Sequence, residues 1–143
     1  MSKVSRIMYL AAAAMFLFGV ALQVFLVGMV VVALQMGWSN HRDLGHSLAI
    51  PLLIMLIFAY IGHLPRRMKW LTWSLFAIYV IQADVLIFLR DSLPVASAFH
   101  PVLALGDVLL AGILVQQAWA MIRRTRQEAI KPARIEQLDK ISL

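Results

Sequence analysis

Four long apolar stretches separated by three short polar ones run through most of the chain, and this pattern predicts four membrane-crossing helices. The stretches cover about residues 7–37, 41–62, 70–89 and 101–122. About 20 apolar residues cross a bilayer core, so each is long enough. Ile7 to Ser39 contains no charged residue. Its apolar length far exceeds the roughly 7–15 residues of a cleaved signal core, which predicts a retained helix despite Lys3, Arg6 and the alanine run at Ala11 to Ala14. In the second stretch Asn40 is placed to cap the helix, with Asp43 complementing its first-turn dipole. Pro51 predicts a kink, and His63-Leu64-Pro65 an end. Pro101 suits the first turn of the fourth helix. The expected fold is an all-α four-helix transmembrane bundle over residues 1–122. A basic tail over 123–143 follows as a solvated extension of the last helix, with Pro132 as a breaker.

Composition supports this reading. The 143 residues are 62% hydrophobic and 14% charged, the balance of an integral membrane protein. The net charge of +6 does not point to nucleic acid, because the cations gather at the segment ends. Of the 13 Lys and Arg residues, only Arg42 and Arg90 fall on one side of the predicted bundle. Lys3, Arg6, Arg66, Arg67, Lys69, Arg123, Arg124, Arg126, Lys131, Arg134 and Lys140 fall on the other. By the positive-inside rule, both termini are cytoplasmic in a cell inner (plasma) membrane. The tail arginines are also placed to meet anionic lipid. The absence of cysteine excludes disulfides, thiolate metal sites, iron–sulfur clusters and covalent haem attachment.

Polar residues inside the spans are few and costly. They are Gln23 and Gln35 on the first, His46 on the second, Gln82 and Asp84 on the third, and Asp107 on the fourth. At about 1.5 Å per residue, Asp84 lies roughly 9 Å below Arg90, and Asp107 roughly 10 Å below His100. Two matched phrases open the second and fourth spans: His41-Arg42-Asp43-Leu44-Gly45 and His100-Pro101-Val102-Leu103-Ala104. Each reads His-x-x-Leu-small, and both fall at the outer face. The small residue lies one helical turn on, on the histidine's own face, where a porphyrin edge needs clearance. The pattern points to a b-type haem with His41 and His100 as axial ligands, Gly45 and Ala104 making room for the ring. His46 is the rival ligand on the second span. It is followed by Ala49 and Ile50, and cannot share a face with His41 five residues away. His63, at the opposite boundary, reads as an interfacial residue.

The string His41-Arg42-Asp43-Leu44-Gly45 resembles the His-Arg-x-Leu-Gly signature opening the second helix of heme A synthase. That family is built of two four-helix halves, each with histidines on its second and fourth helices. The chain resembles one such half, or a small four-helix membrane cytochrome b. The resemblance implies that His41 and His100 ligate the iron and that Arg42 pairs with a haem propionate. It does not carry heme A synthesis with it: Trp38 stands where the family has glutamate, and the family's cysteine pair is missing.

The expected function is therefore haem b binding with single-electron transfer near the outer face, without an enzymatic step, alongside a redox partner. Two alternatives come from other classes. One is a non-enzymatic subunit of a larger membrane complex. The other is a proton-coupled carrier using His46, Asp84 and Asp107 as a relay.

Overall fold

The computed structural model of the protein describes residues 3–141, with side chains through Thr125 and at Gln127. The basic side chains of Arg126, Lys131, Arg134 and Lys140 lie outside the described residues. All regular structure is helical: α1 (Lys3–Val31), α2 (Trp38–Ser47), α3 (Ala49–Ile61), α4 (Arg66–Val80), a π-helical turn (Ile81–Val85), α5 (Leu86–Leu89), α6 (Pro94–Ser97) and α7 (His100–Ile141). Four stretches are long and apolar enough to cross a membrane: Lys3–Val31, Trp38–Ile61, Arg66–Leu89 and Pro94–Thr125.

Sequence chemistry explains most of these boundaries. After α1, Leu34 takes a left-handed conformation (φ 54°) and turns the chain. The second crossing begins at Trp38 behind an extended Gly37, so Asn40 lies inside the helix rather than capping it. Gly37 permits this earlier start. Within that crossing the helix breaks at Leu48, between α2 and α3. Pro51 supplies no N–H for the Ser47 carbonyl, and its ring crowds that turn. The crossing ends in a Schellman arrangement, with Leu64 N–H bonded to Ala59 C=O at 3.1 Å and His63 N–H to Tyr60 C=O at 3.0 Å. His63 occupies the left-handed position of that cap (φ 48°), and its Nδ1–H donates to Ile61 C=O at 2.9 Å. Its role there is to end a helix. Along α7 the backbone stays helical through Pro132, contrary to the expected break. One proline removes one hydrogen bond and here does not end the helix.

Packing follows small residues. On α1 the buried positions are Ser5, Tyr9, Ala12, Ala13, Phe16, Gly19 and Val20. Their three- and four-residue spacing makes one stripe, and Ala12, Ala13 and Gly19 let neighbouring helices close in. α1 packs on the second crossing and on α7, while α4 packs on α3 and α7. The four crossings therefore form a ring in chain order, with the second and fourth standing diagonally opposite. Leu52, Met55, Leu75, Ala111 and Leu114 fill the centre with Tyr9 and Phe16.

Candidate functional site

At the end of the bundle carrying the α2 and α7 amino termini, His41 and His100 meet across the diagonal. Their ring centroids are 6.1 Å apart, with planes inclined at 62°. Both rings line a cavity of about 640 Å³, within the roughly 300–1,000 Å³ typical of ligand pockets. The first and third crossings complete its walls with Val20, Val24 and Val27, and with Ala83 and Ile87. Gly45 and Ala104 line it too, so the two small residues of the paired phrases face one space. Arg42 and Arg90 also line it, which places both cations of the sparsely charged side at one site.

Each histidine is held differently. His100 Nδ1–H donates to the Gln82 backbone carbonyl at 3.2 Å. That carbonyl is available because of the π turn: Leu86 N–H bonds Ile81 C=O, five residues back, instead of Gln82 four residues back. Such turns often mark functional sites. The Gln82 side chain is also committed, its Nε2 donating to the Asp107 carboxylate. One residue thus fixes His100 through its backbone and Asp107 through its side chain. His41 is steadied instead by Trp38, whose ring meets it edge-on at 5.7 Å. His41 Nδ1 is buried without a hydrogen-bond partner.

Gly45 has a second use. A Cβ there would come within 2.7 Å of Gln23 Nε2, so the missing side chain admits Gln23 from the first crossing. Gln23 Oε1 is likewise buried and unpartnered. Tyr79 donates its hydroxyl to the Gly45 carbonyl at 2.9 Å, tying the third crossing to α2 beside the cavity. Gln23 and Gln82 were visible in the sequence as polar residues in apolar spans, without assigned roles. Arg90 was visible as one of two cations on the sparsely charged side, whereas Tyr79 carried no signal of its own.

The residues of the expected proton relay are not joined. Asp107 is fully buried against Gln82, whereas His46 and Asp84 are exposed. The His46 ring donates from Nδ1 to Arg42 C=O, 2.9 Å away within its own helix. His46 still lines the cavity, beside His41. Among the described residues no three His, Cys, Asp or Glu side chains gather to hold a metal ion.

No curated protein and no solved structure matches the chain. Residues 23–86 match the model of a family described as a family of unknown function, DUF6220; the match takes in Gln23, His41, Gly45, Tyr79 and Gln82 and stops short of His100.

Proposed function

We propose that the protein is a bis-histidine b-type haem protein of the inner membrane, with both termini cytoplasmic and the haem site towards the outer face. The observation that carries this reading is the meeting of His41 and His100 in one cavity from diagonal crossings, ring centroids 6.1 Å apart. His41 and His100 would hold the iron, and with imidazole–metal bonds of about 2 Å a centroid spacing of 6.1 Å would let both rings reach one ion. The spacing fits a shared iron. The unpartnered His41 Nδ1 fits as well, since it leaves this ring with an unmet polar atom in an apolar wall.

The chain's own groups then divide the work. The Gln82 carbonyl holds the His100 Nδ1–H, which orients the ring and leaves Nε2 as the ligating atom. Ala104 adds little bulk to the cavity, the space beside Gly45 is taken by Gln23, and the valines with Ile87 make the rest of the wall apolar. Arg42 and Arg90 are the cations available to haem carboxylates. Haem bound by two imidazoles supplies a one-electron couple without an open coordination position. That chemistry matches electron transfer with a redox partner rather than substrate turnover.

The test is the spectrum of the purified full-length chain loaded with haem b, oxidised and reduced. His100→Ala and His41→Ala should each lose the low-spin Soret and α bands, while His46→Ala keeps them. A spectrum unchanged in His100→Ala refutes the assignment. Loss in His46→Ala with retention in His41→Ala transfers the second ligand to His46.

A further inference from the structure

A second cavity, of about 680 Å³, lies at the opposite end of the bundle, where the second crossing turns into the third. Tyr60 contributes one wall, and Arg66, Lys69, Trp70, Trp73 and Ser74 the rest. Tyr60 is 19 residues beyond His41, about 28 Å along a helical axis. This cavity is therefore separate from the histidine site, and nothing in its argument depends on haem. We propose that it binds one anionic phospholipid, with the phosphate on Arg66 and Lys69 and an acyl chain along the indoles.

Three features support a lipid of this charge. First, Lys69 is positioned, and neither it nor Arg66 has an acidic partner among the described residues. Lys69 Nζ lies 4.8 Å from the Tyr60 ring centroid, a cation–π contact that restrains a flexible chain. No Asp or Glu occurs between Asp43 and Asp84. Among the described residues the one ion pair is Arg90 with Asp91, far from this groove. A phosphate would supply the missing negative charge.

Second, the wall is built in advance. Trp73 Nε1–H donates to the Tyr60 hydroxyl oxygen at 2.9 Å, and the Trp73 ring packs edge-on to Phe76 at 5.7 Å. Because Tyr60 accepts in that bond, its own hydroxyl hydrogen is left to donate. A phosphate or ester oxygen is a suitable acceptor.

Third, the groove is amphipathic along its length. Arg66 opens α4, and Ser74 and Ala77 lie two to three turns deeper, past Trp70 and Trp73. Cation, then indole, then small residue matches, in order, the phosphate, ester region and acyl chain of a phospholipid. A free phosphate would leave the indole floor bare, and a choline headgroup would set a positive charge against Arg66. Basic pockets between crossing helices are suited to anionic headgroups.

Quenching of tryptophan fluorescence by brominated lipid measures this binding in the full-length protein in neutral detergent. Brominated phosphatidylglycerol should quench at about a tenfold lower mole fraction than brominated phosphatidylcholine. The double variant Arg66→Gln/Lys69→Gln should abolish that preference. Tyr60→Phe, which keeps the ring and its cation contact, should weaken binding by about two- to fivefold. Arg123→Gln/Arg124→Gln, on the same side but outside the groove, should keep the preference. Equal quenching by the two lipids overturns the proposal, as does a preference that survives Arg66→Gln/Lys69→Gln. Competition by glycerol phosphate at the lipid's own concentration would also overturn it, reducing the groove to an anion site.

Discussion

Asp107 offers the sharpest test of how the buried polar pair is built. Its side chain is 0% exposed, and its one hydrogen-bond partner is Gln82 Nε2. The other Asp107 oxygen, Oδ1, and the Gln82 side-chain oxygen, Oε1, are both buried and unpartnered. A carboxyl group buried without a cation is costly to ionise, and when ionised it has no hydrogen to offer the Gln82 oxygen. An asparagine has two. Asp107→Asn therefore keeps the existing bond and lets Nδ2–H donate to Gln82 Oε1, a gain of about 1 kcal/mol for one neutral hydrogen bond. Asp107→Ala does the opposite: it strands the Gln82 amide and opens a small void. Leaving a buried donor unsatisfied costs about 1–3 kcal/mol. For a chain of this size about 1 kcal/mol moves the melting temperature by roughly 3 °C. Thermal unfolding in detergent, followed by circular dichroism, should place Asp107→Asn about 3 °C above the parent and Asp107→Ala about 3–9 °C below it. If Asp107→Asn melts as low as Asp107→Ala, the carboxylate itself is required and the pairing argument fails. That result would also revive a proton-handling role for this side chain.

Two further outcomes test the packing. Thr72 Oγ1–H donates to Met68 C=O at 2.8 Å, so the buried 2.7 Å contact between Tyr9 and Thr72 must take its hydrogen from Tyr9. Thr72→Val then strands the Tyr9 hydroxyl and should cost about 1–3 kcal/mol, against about 1 kcal/mol for Tyr9→Phe, measured by the same melts; the reverse order would refute the donor assignment. Gly19→Ala drives a Cβ into the Leu48 side chain at the break of the second crossing and should cost about 1–3 kcal/mol, whereas Gly28→Ala, with nothing within 4 Å, should be neutral or stabilising by up to about 1 kcal/mol. Equal effects at the two glycines would show that Leu48 yields freely.

The coarse fold was legible because it depends on one quantity, the length of each apolar run. Four runs gave four helices, and Pro51 broke the second at Leu48, one turn before itself. The boundaries were less legible. Asn40 looked like a cap, but the preceding Gly37 allows the helix to begin three residues sooner. At the histidine site, the periodicity put each histidine on the face of its small neighbour, and the ring of helices brought the two faces together. The support around them was not readable. Gln82 serves His100 through its backbone, and a backbone carbonyl is identical at every position of a sequence. Tyr79 reaches Gly45 from 34 residues away, a contact set by how the crossings pack and not by any local pattern.

The π turn links these observations. A regular α-helix over Ile81–Val85 would commit the Gln82 carbonyl to Leu86, and His100 would have to share it as a second donor. Widening by one residue moves the Leu86 N–H to Ile81 and leaves an acceptor directed at the fourth crossing. The same turn carries the side chain that holds Asp107, seven residues and two helical turns below His100 on one face of α7. Two bonds from one residue thus fix both the rotation and the depth of α7 against the third crossing. His41 is held by the edge of Trp38 and by the Gln23 backbone, with its Nδ1 unpartnered. The two rings are thus oriented from different crossings, His100 by the third and His41 by the first and by its own helix.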